Sequence, residues 1–399
     1  MEVKPGYKQT EVGVIPEDWE STSVKAIAAS SRNAVVGGPF GSDLVSTDYV
    51  DDGVPVIRGQ NLGGQWVSGT FVFVSPAKAA SLEANLARPG DIVFTQRGTL
   101  GQVSLVPDSP YPRYLISQSQ MKLSVNEDSA DPLFFYYLFT GEQQKEYIRQ
   151  NTIQTGVPHI NLGILRSIPV QRPPLGEQRA IAGALGDVDT LLGALEKLIA
   201  KKRNLKQAAM QQILTGQKRL PGFTGKWEMR KLGNIASLYQ PETISQDSFV
   251  SDGYAVYGAN GIIGRYHRYN HDTWQTTISC RGNCGTVNKT EEKSWITGNA
   301  MVVNCDANTW IDKLFLYYLL SSLDFSILVT GSSQPQIVRG PLADFQIRLP
   351  VDRGEQTAIA EVLSDMDEEL AALEQRLAKT RALKKGMMQE LLNGRVRLI

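Results

Sequence analysis

The chain has 399 residues, of which 42% are hydrophobic and 21% charged. This is enough for two to four packed domains and excludes a disordered chain. The 41 basic and 41 acidic residues cancel, so bulk charge is excluded as a means of holding a nucleic acid or membrane, but locally concentrated arginines are not.

The chain opens Met1-Glu2-Val3-Lys4-Pro5, without the basic-then-apolar pattern of a secretory leader. No stretch reaches 18 apolar residues, so no membrane span is expected. Cys280, Cys284 and Cys305 make no disulfide framework. Together these predict a soluble, cytoplasmic protein with reduced thiols and no membrane partner.

Residues 19–175 contain short β-like runs at Val54–Ile57, Phe71–Val74 and Asp91–Phe94, then an aromatic helix around 132–149. A long helix follows from Gly176 to a stop at Gly216. The link from Leu220 to Trp227 leads to residues 227–353. These carry strand-like runs at Trp274–Ser279 and Ala300–Val303 and an aromatic helix around 312–325. A second long helix runs from Gly354 to Gly394. The boundaries are therefore 1–175, 176–220, 221–353 and 354–399.

The two helical segments are copies of one another. Residues 176–220 and 354–398 align without a gap at an offset of 178, with 24 of 45 positions identical. Weaker matches flank them in the same order in both halves. Gln96-Arg97-Gly98-Thr99-Leu100-Gly101 parallels Cys280-Arg281-Gly282-Asn283-Cys284-Gly285. Leu133 to Leu138 parallels Leu314 to Leu319, and Thr155 to Ile160 parallels Gly331 to Ile337.

Apolar residues fall at Ile181, Leu185, Val188, Leu192, Leu195 and Ile199, and again at Ile359, Leu363, Met366, Leu370, Leu373 and Leu377. Both sets have the 4-3-4-3-4 spacing of a coiled-coil seam. Beyond them the phase shifts, through Leu205, Ala209 and Ile213 in one helix and Leu383, Met387 and Leu391 in the other. Helices of about 38 residues, roughly 57 Å, must bury such a seam on a partner. Equal length and register within one chain favour an antiparallel intrachain coiled coil, with pairing between chains as the alternative. The predicted fold is α+β: two tandem units joined by two long helices in a pseudo-twofold arrangement. The basic run Lys201, Lys202, Arg203 and Lys206 is expected on a solvated helix face.

Arginine can grip guanine bidentately in a major groove, as Asn or Gln can grip adenine. Residues of these types sit in glycine-rich loops at Arg58, Gln60, Asn61, Gln96 and Arg97 in the first half. The second half has Arg265, Arg268, Arg281 and Asn283. These are the candidate DNA contacts, although a glycine loop can also be a plain structural turn. Ser332, Ser333 and Gln334 offer hydroxyls and an amide suited to phosphate.

Catalytic signatures are missing. The sequence has no phosphate loop and no Asn- or Asp-Pro-Pro-aromatic motif. Gly37-Gly38-Pro39-Phe40-Gly41 is glycine-rich but is not the strand-loop-helix of a nucleotide site. His159 has no nucleophile and acid beside it in sequence. His267, His271, Cys280 and Cys284 have zinc-like spacing. The first half has Gln96 and Leu100 where the second has the two cysteines, so no metal is expected. No catalytic residue and no cofactor are assigned.

The chain resembles the specificity subunit of type I restriction-modification systems. The resemblance rests on Gly13-Val14-Ile15-Pro16-Glu17-Asp18-Trp19 and on the helix starts Gly176-Glu177-Gln178 and Gly354-Glu355-Gln356. It rests also on the exits Ile213-Leu214-Thr215-Gly216 and Leu391-Leu392-Asn393-Gly394, and on Leu220-Pro221-Gly222-Phe223 leading to Trp227. The resemblance implies two target recognition domains and two spacer helices reading a bipartite, gapped site on double-stranded DNA. It implies two modification subunits that use S-adenosylmethionine to methylate adenine at N6. It further implies restriction subunits that use ATP with Mg2+. The competing expectation is a coiled-coil adaptor that does not itself read DNA.

Overall fold

A computed structural model describes residues 4–331 and 334–398. Ser332 and Ser333, two of the candidate phosphate contacts, lie outside the described residues. The chain divides into two compact units, Met1–Ala194 with Leu377–Ile399, and Leu195–Arg376. Four helices organise them: α1 (Pro132–Thr140), α2 (Leu175–Ile213), α3 (Lys313–Ser321) and α4 (Arg353–Leu391). The two long helices, α2 and α4, each give one part of their length to each unit, so the compact units cut across the boundaries expected at 175 and 353.

In the first unit the strands Val103–Leu105, Ile92–Thr95, Gln120–Leu123 and Val35–Gly37 form an antiparallel sheet in that order. Alternation along one strand explains its place. Ile92 and Phe94 point into the main core with α1, where the Phe94 and Phe139 rings stand 5.0 Å apart. Val93 points the other way, against Ile57, Tyr114 and Ile116 of a second sheet. In that five-stranded sheet Val54–Ile57 runs parallel to Tyr114–Ile116. Helix α1 starts where Asp131 accepts a hydrogen bond from the Phe134 amide at 2.8 Å, the usual way to satisfy an orphan helix donor. It then buries Phe134, Phe135, Tyr136, Tyr137, Leu138 and Phe139.

The second unit repeats this plan. Its strands Val287–Lys289, Thr276–Ser279, Ala300–Asn304 and Ser237–Tyr239 pair in the corresponding order. Tyr254–Gly258 runs parallel to Trp295–Ile296, as Val54–Ile57 does to its neighbour in the first unit. The Asp312 carboxylate caps α3 at the Phe315 amide, again at 2.8 Å. This second sheet has three strands rather than five, which accounts for the shorter sequence between the repeats.

Both long helices are 39 residues long. They stop ahead of Gly216 and Gly394, whose φ values of 71° and 66° suit a C-terminal glycine. Within each unit they run antiparallel. In the first, Asp189 meets Lys384 at 2.6 Å, and Glu177 meets Arg397, just beyond α4, at the same distance. In the second, Lys202 pairs with Glu369 at 2.6 Å and Lys206 with Asp367.

The seam is buried at Ile181, Leu185, Leu195, Ile199, Ile359, Leu363 and Leu370. It is half-buried at Val188, Leu192, Met366, Leu373 and Leu377. Its first turns also face the globular cores, which take in Ile181 and Leu185 in one unit and Ile359 and Leu363 in the other.

Two expectations are corrected. Leu205 and Leu383 do not continue the seam, being 47% and 59% exposed. The adjacent lysines, Lys206 and Lys384, turn inward instead. The basic run on α2 is likewise not simply solvated, because Lys202, Arg203 and Lys206 pair with Glu369, Glu374 and Asp367 of α4.

Inward lysines are tolerated because each pairs with an aspartate and lies near a tyrosine ring. The Tyr137 hydroxyl donates to Asp189 at 2.8 Å, and the Lys384 ammonium lies 5.2 Å from the Tyr137 ring centre. In the second unit Tyr318, Asp367 and Lys206 repeat the arrangement. Burial, followed by the carboxylate it bonds, holds each tyrosine hydroxyl well above its ordinary pKa. A second recurring cluster ties each helix start to a tryptophan. Glu177 accepts from Trp19 and Arg397, and Glu355 from Trp227 and Arg219.

Candidate nucleic-acid interface

The two Arg-Gly loops adopt one geometry. Each follows a buried strand, Ile92–Thr95 or Thr276–Ser279. Gly98 and Gly282 take left-handed φ values of 94° and 71°. The Leu100 and Cys284 amides then donate back to Gly98 and Gly282 at 2.9 Å each. Arg97 bridges to His159, and Arg281 bridges to Gln336 at the matching place. Both arginine side chains are exposed. A rigid turn that holds an exposed arginine after a buried strand can present a guanidinium to base edges or phosphates.

Around Arg97 the first unit gathers four more segments. The Gln96 amide donates to Ser119 and the Ile160 amide to Gln96. The Ser117 amide donates to Ile57, bringing in Arg58. The Gly38 amide donates to Gln120 at 2.8 Å, bringing in the glycine-rich loop. Two buried donors in this cluster, Arg58 Nε and Gln120 Nε2, have no partner within the described residues. Unmet buried donors cost about 1–3 kcal/mol each.

The other candidates are placed differently. Asn61 is buried, and its carboxamide accepts from the Arg58 amide and donates to Ser68 and Thr70, so it braces its own loop. Gln60 is exposed and donates to the Thr70 carbonyl at 3.0 Å. Asn283 is exposed in the Arg281 loop. Arg265 and Arg268 are exposed, but the structure does not bring Arg265 to that loop. Arg265 pairs with Ala255 and donates to Gly253, at the end of its hairpin away from the Gly258–Gly261 turn. By strand register, Gly258 stands where the first unit has Arg58. Sequence reasoning passed over Gln118 and Gln120, whose segment only the fold brings against Gln96 and Arg97, and Phe40, whose loop lies on that segment. For Phe40 the signal was the glycine-rich run at 37–41.

The residues with zinc-like spacing are occupied otherwise. His271 is buried, stacked on Tyr239, with its Nε2 2.8 Å from the Tyr239 hydroxyl. The Cys280 thiol is buried and pushed up to about 11 by desolvation. Cys284 Sγ lies 3.2 Å from the Pro335 carbonyl. Among the described residues no three His, Cys, Asp or Glu side chains are grouped as metal ligands. No helix among them is long and apolar enough to cross a membrane.

Each unit also has a groove between α2 or α4 and its globular part. In the second unit Lys206, Met210, Gln211 and Leu214 line about 1060 Å³. In the first unit their repeat equivalents Lys384, Met388, Gln389 and Leu392 line about 700 Å³.

A duplicated α+β unit, a paired long helix and a repeated Arg-Gly loop define a DNA-binding protein built from two like units. The family described as type I restriction modification DNA specificity domain matches residues 16–207 and 224–380, and the chain belongs to that family. It is a non-catalytic specificity subunit, with a DNA-recognition and scaffolding role in a restriction-modification complex. It is similar to a putative type I restriction enzyme MjaX specificity subunit of Methanocaldococcus jannaschii. That relative is 25% identical, over 98% of this chain and 97% of the relative. The MjaVIII specificity subunit of the same organism is 22% identical over 96% of this chain and 94% of its own length. The fold matches the crystal structure of a type I S subunit from M. genitalium with a TM-score of 0.64 and 16% identity, covering 98% of each chain.

Proposed function

We propose that this chain reads a bipartite, gapped DNA target, one part with each unit, and seats two adenine-N6 modification subunits together with restriction subunits. On this reading residues 1–175 and 221–353 are the two recognition domains, and 176–220 and 354–399 are the spacers. The observation that carries it is the repeated Arg-Gly loop. Arg97 and Arg281 stand on the same turn, in units whose surrounding residues differ, which suits two unlike half-sites. The equal length and antiparallel course of α2 and α4 favour a fixed unread gap. The paired grooves favour two copies of one partner, since equivalent seats take equivalent occupants. The modification subunits would bring S-adenosylmethionine, and the restriction subunits ATP with Mg2+.

The test is to sequence the methylome of cells with and without this chain, with the partner subunits kept. Loss of a single two-part adenine motif is expected. An unchanged methylome would instead favour an adaptor that does not read DNA.

A further inference from the structure

We infer that Phe40 is a wedge that enters a base step of one half-site and unstacks it. This rests on the reading of the first unit as a DNA-recognition domain. Phe40 is 83% exposed, more than any other large hydrophobic side chain among the described residues. It follows the buried Pro39 and precedes the exposed Gly41.

The exposure is built in. A Cβ at Gly38 would come within 1.9 Å of the Ser117 carbonyl oxygen, so the loop lies directly on the 117–118 backbone. On one side of Phe40, the Gly38 amide is bound to the Gln120 carbonyl at 2.8 Å. On the other, the Gln118 side chain donates to the carbonyls of Gly41 at 2.6 Å and Leu44 at 3.1 Å. The Asp43 amide closes back on the Phe40 carbonyl at 2.9 Å. The backbone is pinned before and after an aromatic residue that is left largely in solvent.

The neighbours give the ring its occupant. Gln96 lies against Gly37, with its Oε1 3.6 Å from where a Cβ would stand. Arg97 is the next residue, and Gln120, with its unmet donor, holds the base of the loop. A rigidly based apolar side chain, on a loop that packs against the segment carrying the exposed Arg97, suits the stacked base pairs of a duplex, whose phosphates the arginine can meet. Aromatic and aliphatic wedges of this kind unstack a base step and kink the helix axis. The corresponding loop of the second unit, Gln240-Pro241-Glu242-Thr243-Ile244-Ser245, has no aromatic residue. The distortion is therefore confined to the half-site read by the first unit.

The test uses the full chain assembled with its modification subunits on its methylome-defined target. 2-Aminopurine replaces single bases in turn across both half-sites, leaving out the methylated adenines. For the wild-type complex, fluorescence is expected to rise at one step in the first unit's half-site and nowhere in the other. Phe40→Ala should abolish that rise and weaken binding on the order of tenfold. Phe40→Trp should keep both. A duplex with an abasic site at that step, already unstacked, should bind Phe40→Ala and wild type alike. Selective wild-type binding with no bright step, or with the same step in Phe40→Ala, overturns the wedge alone. A loss of affinity on every duplex, including the abasic one, would mark Phe40 as a protein-docking anchor and also overturn it. No selective binding by the wild-type complex would overturn the recognition reading and the wedge together.

Discussion

Asp189 and Lys384, 195 positions apart in sequence, meet at 2.6 Å beside the Tyr137 hydroxyl, and Asp367 and Lys206 meet in the same way beside that of Tyr318. Each set joins α2, α4 and an aromatic helix within one unit. The side chains of Asp189 and Lys384 are only 20% and 21% exposed, so water screens the pair less than it would a surface pair. Asp189→Asn and Lys384→Met should each destabilise the protein to urea. Their double-mutant cycle should give a coupling of about 1–2 kcal/mol. The cycle at Asp367 and Lys206 should give a similar value. Strict additivity at both places would show that the ion pairs do not fasten the helices.

Arg97→Ala should relax recognition in one half-site only, and Arg281→Ala in the other. Each should cost about 1–3 kcal/mol of discrimination if its guanidinium reads a base. Methylome sequencing of strains carrying each variant gives the answer directly. If either variant degrades both half-motifs equally, the assignment of one unit to one half-site is wrong.

The unread gap should follow helix length. One heptad can be inserted after Ala194 in α2 and another after Arg376 in α4, where the two compact units divide. This keeps the seam in phase and adds about 10 Å to each helix. The spacer should lengthen by up to about three base pairs while both half-motifs stay as they are. Methylation of the original spacing by the doubly extended chain would count against a gap set by the helices.

His271 should make the second unit sensitive to acid. Asn270 Oδ1 can only accept, so Nδ1 of His271 donates to it at 2.6 Å, and Nε2 lies 2.8 Å from the Tyr239 hydroxyl. Its surroundings favour the neutral ring. Burial, followed by the Lys313 charge, lowers its pKa below the ordinary 6.5, and Asp306 only partly opposes this. The unfolded chain then takes up the proton first. The histidine's stabilising contribution is complete above about 6.5 and declines as pH falls through and below that value. The thermal midpoint of His271→Gln should fall less steeply than that of wild type between pH 7.5 and 5.5. Parallel curves would place the acid sensitivity elsewhere.

The sequence by itself determined the duplication, the length of both helices, the phase of their seam as far as Ile199 and Leu377, and the Arg-Gly turns. These depend on local rules: heptad spacing, terminal glycines and the positive φ that glycine accepts, all of which show in one dimension. It did not show that Leu205 and Leu383 face water while Lys206 and Lys384 turn inward, because an inward lysine needs an aspartate and a tyrosine from distant segments. Nor did it show that Asn61 braces its own loop, or that Arg265 lies away from the Arg281 turn, because strand pairing sets both. The exposure of Phe40 was the least legible feature. An aromatic residue is ordinarily core material, and only the seating of its loop on Ser117, Gln118 and Gln120 leaves this ring in solvent.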